Sequence, residues 1–280
     1  PDVLIMTATP IPRTLALTLY GDLDVSVIDE MPAGRKPIIT AHRYESHRLR
    51  VFGFIAEEVK KGRQVYMVYP LIEESEKLAY KNLMEGHESV SRAFPNLHLS
   101  VMHGQMSSVD KDFEMQRFKR GETNIMVATT VIEVGVNVPN ASVMVIENAE
   151  RFGLSQLHQL RGRVGRGAEQ SYCILMTDYK LSQDSVVRLD TMVKTNNGFE
   201  IAEIDLKLRG PGDLMGTQQS GILDLLLADL VKDGDLLQLA RETAGEVLDQ
   251  DTNLELDINA PIRDWVTTHQ KNENFWSRIS

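Results

Sequence analysis

Short apolar runs alternate with amphipathic segments along most of the chain. The apolar runs predict strands at Ile38–Tyr44, Val65–Tyr69, Leu97–Met102, Ile125–Ala128, Val143–Ile146 and Ser171–Met176. The segments between them carry apolar residues at three- and four-residue spacing and predict helices at Ser46–Lys61, Asn82–Phe94, Ser108–Arg120, Ser182–Thr195 and Phe199–Leu208. Strands that alternate with helices in this way predict an α/β fold, a parallel sheet flanked by helices.

The two ends of this repeating pattern look different. Val3–Met6 reads as a strand, and a stretch rich in helix-breaking residues, Met31–Pro37, reads as a linker. After the last helix, Arg209–Gly221 reads as a shaped glycine-rich loop, and a helical pattern resumes from Ile222. Because nothing before Val3 could pair with the first strand, we expect the chain to be part of a longer protein.

Composition is that of an ordinary globular protein. Hydrophobic residues make up 42% and charged residues 25% of the 280 positions, and every apolar run is too short to span a membrane. The single cysteine, Cys173, lies in an apolar run and suits a buried position in a reducing cytoplasm. The net charge is −10, of which −7 falls between Ile222 and Ser280, so the remainder is close to neutral and could carry a local basic surface.

The densest chemistry in the chain follows the fifth predicted strand. Arginines and glycines are interleaved there, at Arg161, Gly162, Arg163, Gly165, Arg166 and Gly167, and Gln159 precedes them. Guanidinium groups match phosphate oxygens, and glycines let a ligand approach the backbone. Thr129 and Thr130 end the fourth predicted strand, and we expect their hydroxyls to face this cluster and form a polyphosphate site. A solvated basic helix end is the alternative interpretation.

Three stretches resemble motifs of the superfamily 2 helicases. Gln159-x-x-Gly162-Arg163-x-Gly165-Arg166 resembles motif VI, and Ala128-Thr129-Thr130 with Glu133-x-Gly135-x-Asn137-x-Pro139 resembles motif V, with Asn137 in place of the usual aspartate. TATPIPRT, from Thr7 to Thr14, resembles motif III. The resemblance implies the RecA-like C-terminal lobe of a helicase.

The resemblance also implies roles for individual residues. Arg166, as an arginine finger, and Arg163 would be catalytic, whereas Gln159, Gly135 and Asn137 would contact the nucleotide. Contacts with DNA would come from His103, Thr129 and Thr130. Coupling between the lobes would involve Thr7, Thr9 and Arg13.

RGPGDLMGTQQSG, the predicted loop from Arg209, resembles the helical hairpin and loop of duplex-DNA translocases in that superfamily. The resemblance implies that Arg188, Arg209 and Gln219 serve motion on DNA. It implies branched double-stranded DNA, namely stalled replication forks and Holliday junctions, as the substrate in repair and recombination. Single-stranded DNA-binding protein would be a further partner. A translocase of transcription-coupled repair and a non-enzymatic docking module remain alternatives.

Two helicase elements are absent from the sequence. No G-x-x-x-x-G-K-[ST] phosphate loop is present, and the pair Asp29-Glu30 follows motif III, whereas the magnesium-binding carboxylates of the family precede it. ATP and Mg²⁺ would therefore be bound mainly by a first lobe that precedes this chain. We predict that the chain alone hydrolyses no ATP, and we assign no metal ligand within it.

These interpretations divide the chain into four parts. Residues 1–37 would be the end of the first RecA-like lobe with its linker, and residues 38–180 the second lobe. Residues 181–221 would form the helical hairpin and loop, and residues 222–280 a helical C-terminal extension.

Overall fold

The computed structural model of the chain describes residues 4, 26, 28, 34–70, 76–130, 138–167, 169–213 and 233–270. Among these, residues 34–208 belong to one compact unit, and residues from 209 onward belong to a second. Several residues with predicted roles lie outside the described residues: Thr7, Thr9, Arg13, Gly135, Asn137 and Gln219. The side chain of Arg209 is likewise not described, although its backbone is.

Six strands in the described part of the chain form one parallel sheet. They are β1 (Ile39–Tyr44), β2 (Gln64–Val68), β3 (Leu99–Met102), β4 (Ile125–Ala128), β5 (Ala141–Ile146) and β6 (Tyr172–Thr177). Their order across the sheet is β1-β6-β5-β2-β4-β3. The central strands β2, β4 and β5 are buried at every position, which explains their largely apolar sequences.

The helices alternate with these strands, as the sequence predicted. They are α1 (Arg48–Lys60), α2 (Glu76–Ala93), α3 (Ser108–Lys119), α4 (Leu154–Arg161), α5 (Gln183–Lys194), α6 (Gly198–Asp213), α7 (Gly234–Gln250) and α8 (Ala260–Gln270). Ser107 and Ser182 cap α3 and α5, and each hydroxyl accepts a hydrogen bond from the backbone N–H three residues later.

Alternate residues of the strands point to opposite faces of the sheet, and helices cover both faces. α3, α4, α5 and α6 cover the face formed by Tyr66, Val68, Met126, Ala128, Met144, Ile146, Cys173 and Leu175. α1 and α2 cover the face formed by Val65, Met67, Ile125, Val127, Val143, Val145, Ile174 and Met176. The predicted α/β fold, a parallel sheet flanked by helices, is confirmed. Burial raises the pKa of the Cys173 thiol to about 12, so this cysteine is an inert part of the core.

Two predicted boundaries differ from the structure. α2 begins at Glu76, six residues before the predicted start at Asn82. α6 continues to Asp213, past Arg209, where the predicted loop began. Pro211 lies within this extension, and because proline has no N–H it cannot donate a helical hydrogen bond there.

Among the described helices, none combines the length and the apolar character that crossing a membrane requires.

Close packing between α2 and the end of β2 gives a testable prediction. A methyl group on Gly86 would lie 2.3 Å from Cζ of the buried Tyr69 ring. We expect Gly86→Ala to lower the free energy of unfolding by about 1–3 kcal/mol, because the ring has to move within a packed core. Urea denaturation of the chain measures this change.

Gly53 supplies the matched control, because it lies inside α1 and a methyl group there would contact nothing within 4 Å. Gly53→Ala should be neutral or stabilising by up to about 1 kcal/mol, since alanine has the higher helix propensity. Equal effects of the two substitutions would contradict the packing explanation.

Candidate functional site: the arginine turn

The arginine cluster lies at one edge of the sheet because of the direction of α4. All strands are parallel, so their carboxyl ends meet at one edge and their amino ends at the other. α4 follows β5 and precedes β6, so it runs back to the amino-terminal edge. We call residues 161–167, which begin with its last residue, the arginine turn.

Glycine contacts confirm where the arginine turn lies. A Cβ atom on Gly165 would come within 2.9 Å of the Ile38 side chain, and Ser171 is also close. These two residues directly precede β1 and β6. Gly165 also has φ +76°, a conformation that favours glycine. The turn is therefore shaped by glycine and held against the amino ends of two strands.

The threonines lie at the opposite edge of the sheet. Thr129 and Thr130 follow the carboxyl end of β4, so about 10–13 Å of strand separates that edge from the amino-terminal one. The expectation that their hydroxyls face the arginine cluster is therefore wrong. Thr129 is only 1% exposed, and its hydroxyl has no hydrogen-bond partner in the described part of the chain. Thr130 is half-buried and is the more accessible of the two.

Arg161 is a structural residue, not a ligand-facing one. It is 2% exposed, and its Nη1 donates to the carbonyl oxygens of Met192 at 2.8 Å and Thr195 at 2.9 Å. Burial lowers the pKa of this guanidinium, and these acceptors compensate for the buried charge. Of the three arginines in the predicted cluster, this one joins α4 to the end of α5.

His158 completes the environment of Arg161. Its Nδ1 lies 3.1 Å from Arg161 Nη2. Burial, together with the positive charge of Arg161, lowers the pKa of His158 to about 4. The imidazole is therefore neutral at pH 7, and Nδ1 can accept a hydrogen bond from the guanidinium.

The other two arginines remain accessible. Arg166 is exposed, with its Nε donating to Gly162 O at 3.3 Å, and Arg163 is half-buried. Burial raises the pKa of the Tyr66 phenol to about 12, and the charges of Arg166 and Arg163 oppose that shift. Both guanidiniums therefore lie within electrostatic reach of the same buried ring. Gln159 lies on α4, four residues before Arg163, and is half-buried. This surface can accept an anionic group such as a phosphate.

The carboxyl-terminal edge presents different chemistry. His103 follows β3, and its ring packs edge-on against Tyr80 with the ring centroids 5.0 Å apart. Burial lowers the pKa of His103, and the charge of Lys111 adds to this effect. Lys111 Nζ donates to Gly104 O at 2.9 Å, so it supports the turn that leads into α3. His103 and Thr130 thus lie at the ends of neighbouring strands, away from the arginine turn.

Comparisons with known proteins identify the family. Residues 195–280 match the family model described as ATP-dependent DNA helicase RecG, domain 3, C-terminal. Residues 48–168 match the helicase conserved C-terminal domain. An ATP-dependent DNA helicase RecG from Synechocystis sp. is 56% identical over 256 residues, which are 91% of this chain and 31% of that protein. By sequence, this chain belongs to the RecG family.

Other RecG proteins agree with this assignment. The RecG of Aquifex aeolicus is 52% identical over 260 residues, which are 91% of this chain and 33% of that protein. A solved structure of RecG bound to a three-way DNA junction is 47% identical, with a TM-score of 0.66, and covers 82% of this chain and 30% of that one. The chain therefore spans about a third of the length of the curated RecG relatives that it matches.

Arg188 lies on α5, just before the part of the chain that the RecG model matches. Its Nη1 donates to Phe152 O at 2.7 Å, and its Nη2 donates to Ser185 Oγ at 3.1 Å. Phe152 lies in the segment that leads into α4. Arg188 thus connects α5 to the start of α4. Arg161 connects the end of α4 to the end of α5.

Two features of the RecG-like lobe escaped the sequence analysis. Arg48 donates to both carboxylate oxygens of the buried Glu147, at 2.8 and 2.7 Å, at the carboxyl end of β5. A glutamate directly after an apolar strand was the available signal for this pair. Arg35, in the predicted linker, donates to Gly165 O within the arginine turn at 2.8 Å. No local pattern signals a contact between residues 130 positions apart.

Proposed function

We propose that this chain is the C-terminal part of the motor of an ATP-dependent DNA helicase that translocates on double-stranded DNA and remodels stalled forks and Holliday junctions. The observation that carries the proposal is the arginine turn, with Arg166 exposed and Arg163 partly exposed, in a chain about half identical to RecG proteins. Non-enzymatic docking would not require two accessible guanidiniums at a glycine-shaped turn.

The nucleotide side of the mechanism rests on the amino-terminal edge of the sheet. Arg166 fits a phosphate group because its side chain is exposed there, and Arg163 beside it is partly exposed, whereas Arg161 is buried. ATP, when bound, would supply the phosphoryl group for transfer to water, and Mg²⁺, held mainly by the preceding lobe, would neutralise its charge. Arg166 would act as the arginine finger on the charge that develops in the transition state, with Arg163 beside it. Gln159, Gly135 and Asn137 would contact the nucleotide.

The proposal assigns the phosphate loop and the Mg²⁺ ligands to a preceding lobe. In the described residues, no three His, Cys, Asp or Glu side chains lie together as a metal site. Residues 1–37, with Thr7, Thr9 and Arg13, would end that lobe and couple it to residues 38–180.

The DNA side of the mechanism rests on the carboxyl-terminal edge. His103 and Thr130 lie there on neighbouring strand ends, and backbone phosphates are the groups that such side chains and the adjacent N–H groups bind. Thr129 would contribute through its backbone position, because its side chain is buried. Arg188, Arg209 and Gln219, within residues 181–221, would transmit motion to the duplex. Residues 222–280 would be an extension, and single-stranded DNA-binding protein a further partner.

In this proposal, hydrolysis at one edge of the sheet would be coupled to movement of DNA at the other edge. α4 connects them, because it begins near Phe152, which Arg188 contacts, and ends at Arg161, which holds the end of α5. A shift of the arginine turn on hydrolysis would therefore move α5 as well. The RecG matches favour this function over a translocase of transcription-coupled repair.

A comparison of the isolated chain with its full-length parent tests the proposal. We expect the parent to hydrolyse ATP, with more stimulation by a three-way junction than by linear duplex, and the isolated chain to show no turnover above a buffer blank. The physical reason is that arginines alone cannot position a nucleotide without the phosphate loop. Phosphate release measured at equal concentrations distinguishes these outcomes. Turnover by the isolated chain would contradict the divided site, and a parent that DNA does not stimulate would contradict the motor.

A further inference from the structure

The segment before β1 is hydrogen-bonded directly to the arginine turn. We infer that Arg35 is a positioning residue for ATP hydrolysis, which holds the peptide that carries Arg166 in its working orientation. The inference rests on the proposed function, and it assigns a task to a linker residue that touches neither nucleotide nor DNA in that proposal.

The geometry of one hydrogen bond carries the inference. Arg35 Nε donates to Gly165 O at 2.8 Å. This carbonyl belongs to the same peptide unit as the backbone nitrogen of Arg166, so the bond restrains the plane from which the Arg166 side chain departs. Gly165 has φ +76°, in a region that glycine enters readily and leaves readily. Without Arg35, this peptide would lose that hydrogen bond next to a glycine, the residue with the greatest backbone freedom.

Neighbouring contacts make the linker a fixed reference for the turn. Gln170 Nε2 donates to Pro37 O at 2.8 Å, and Asn196 Nδ2 donates to Ile38 O at 3.3 Å. The Ile38 side chain also fills the space beside Gly165, where a Cβ atom would be only 2.9 Å away. Gln170 and Asn196, from two separate parts of the chain, thus hold Pro37 and Ile38, and Arg35 extends this attachment to the turn.

Arg166 itself has little else to position it. Its side chain is exposed, and its one hydrogen bond within the described residues, from Nε to Gly162 O, is long at 3.3 Å. A catalytic group that is misplaced by about 1 Å can lose about a hundredfold in rate. Orientation of its backbone by Arg35 therefore determines whether the guanidinium reaches the transferring phosphoryl group.

The full-length parent with Arg35→Ala tests the inference. We expect kcat of junction-stimulated ATP hydrolysis to fall by roughly 10- to 100-fold, because the finger acts in the transition state. The KM for ATP should change by less than about threefold, and the melting temperature should stay close to that of the wild type. Lys36→Ala is the matched control, because Lys36 is the exposed basic neighbour in the same linker, and it should leave kcat unchanged.

A double-mutant cycle separates positioning from a general structural role. If Arg35 acts through Arg166, adding Arg35→Ala to Arg166→Ala should lower kcat by less than about twofold further. Multiplied losses, a normal kcat for Arg35→Ala, or a loss of kcat that follows loss of folded protein would each overturn the inference. A wild-type parent without DNA-stimulated hydrolysis would instead overturn the proposed function, so the two failures are distinct.

Discussion

Replacing Arg166 by alanine in the full-length parent should lower junction-stimulated ATP hydrolysis at least about a hundredfold, since arginine fingers contribute roughly 10³- to 10⁵-fold in other nucleotide hydrolases. The exposed guanidinium at the end of the arginine turn is free to approach a nucleotide, and its removal eliminates charge stabilisation at the phosphoryl group. Junction binding should be retained, because the DNA-contacting residues are proposed at the other edge of the sheet. Single-turnover hydrolysis and a junction-binding assay measure both effects.

Two variants sharpen this experiment. Arg166→Lys keeps a positive charge but loses the planar fork, so it should recover only part of the lost rate. Arg92→Ala removes a 74%-exposed side chain from α2, which covers the face of the sheet opposite to α4, and should leave hydrolysis unchanged. Near-normal turnover of Arg166→Ala would mean that the arginine turn is structural, and the motor assignment of this part of the protein would have to be withdrawn.

The fold was predictable because local patterns and global packing agree. Apolar runs such as Ile125–Ala128 are unbroken since both faces of the sheet are covered by helices, and that is how a buried parallel strand appears in a sequence. Ser107 and Ser182 cap their helices through a hydrogen bond that involves only four consecutive residues. Such signals depend on neighbours along the chain, so a sequence contains them in full.

The site was only partly predictable, because its geometry depends on contacts between distant residues. Motif spacing proposed Arg163 and Arg166 as catalytic residues, but the prediction of a phosphate site from the arginine cluster also included Arg161, whose burial depends on carbonyl groups of α5. The misplaced threonines have a simpler explanation. In a parallel sheet, residues that follow a strand lie at the carboxyl-terminal edge, and residues that follow a connecting helix lie at the amino-terminal edge. Thr129 therefore could not face the arginine turn. The connectivity already implied this separation.

Arg161→Met should destabilise the chain more than any other change discussed here, by about 3 kcal/mol or more, because the buried carbonyl of Met192 and the partly buried carbonyl of Thr195 both lose their donor, and a buried acceptor left without one costs about 1–3 kcal/mol. Methionine retains much of the apolar stem, so lost packing contributes little. Removal of a buried charge recovers some desolvation energy, but the acceptors of Met192 and Thr195 stay behind and no donor replaces the guanidinium. Urea denaturation of the chain measures the change.

Arg92→Met is the control for Arg161→Met, since it makes the same substitution on an exposed helix surface. Its partner Glu88 lies 3.8 Å away at a surface position, and such pairs contribute about 0–1 kcal/mol. If both variants unfold at the same urea concentration as the wild type, the bonds from Arg161 to α5 do not stabilise the fold. The link between the arginine turn and α5 would then be too weak to transmit movement from one edge of the sheet to the other.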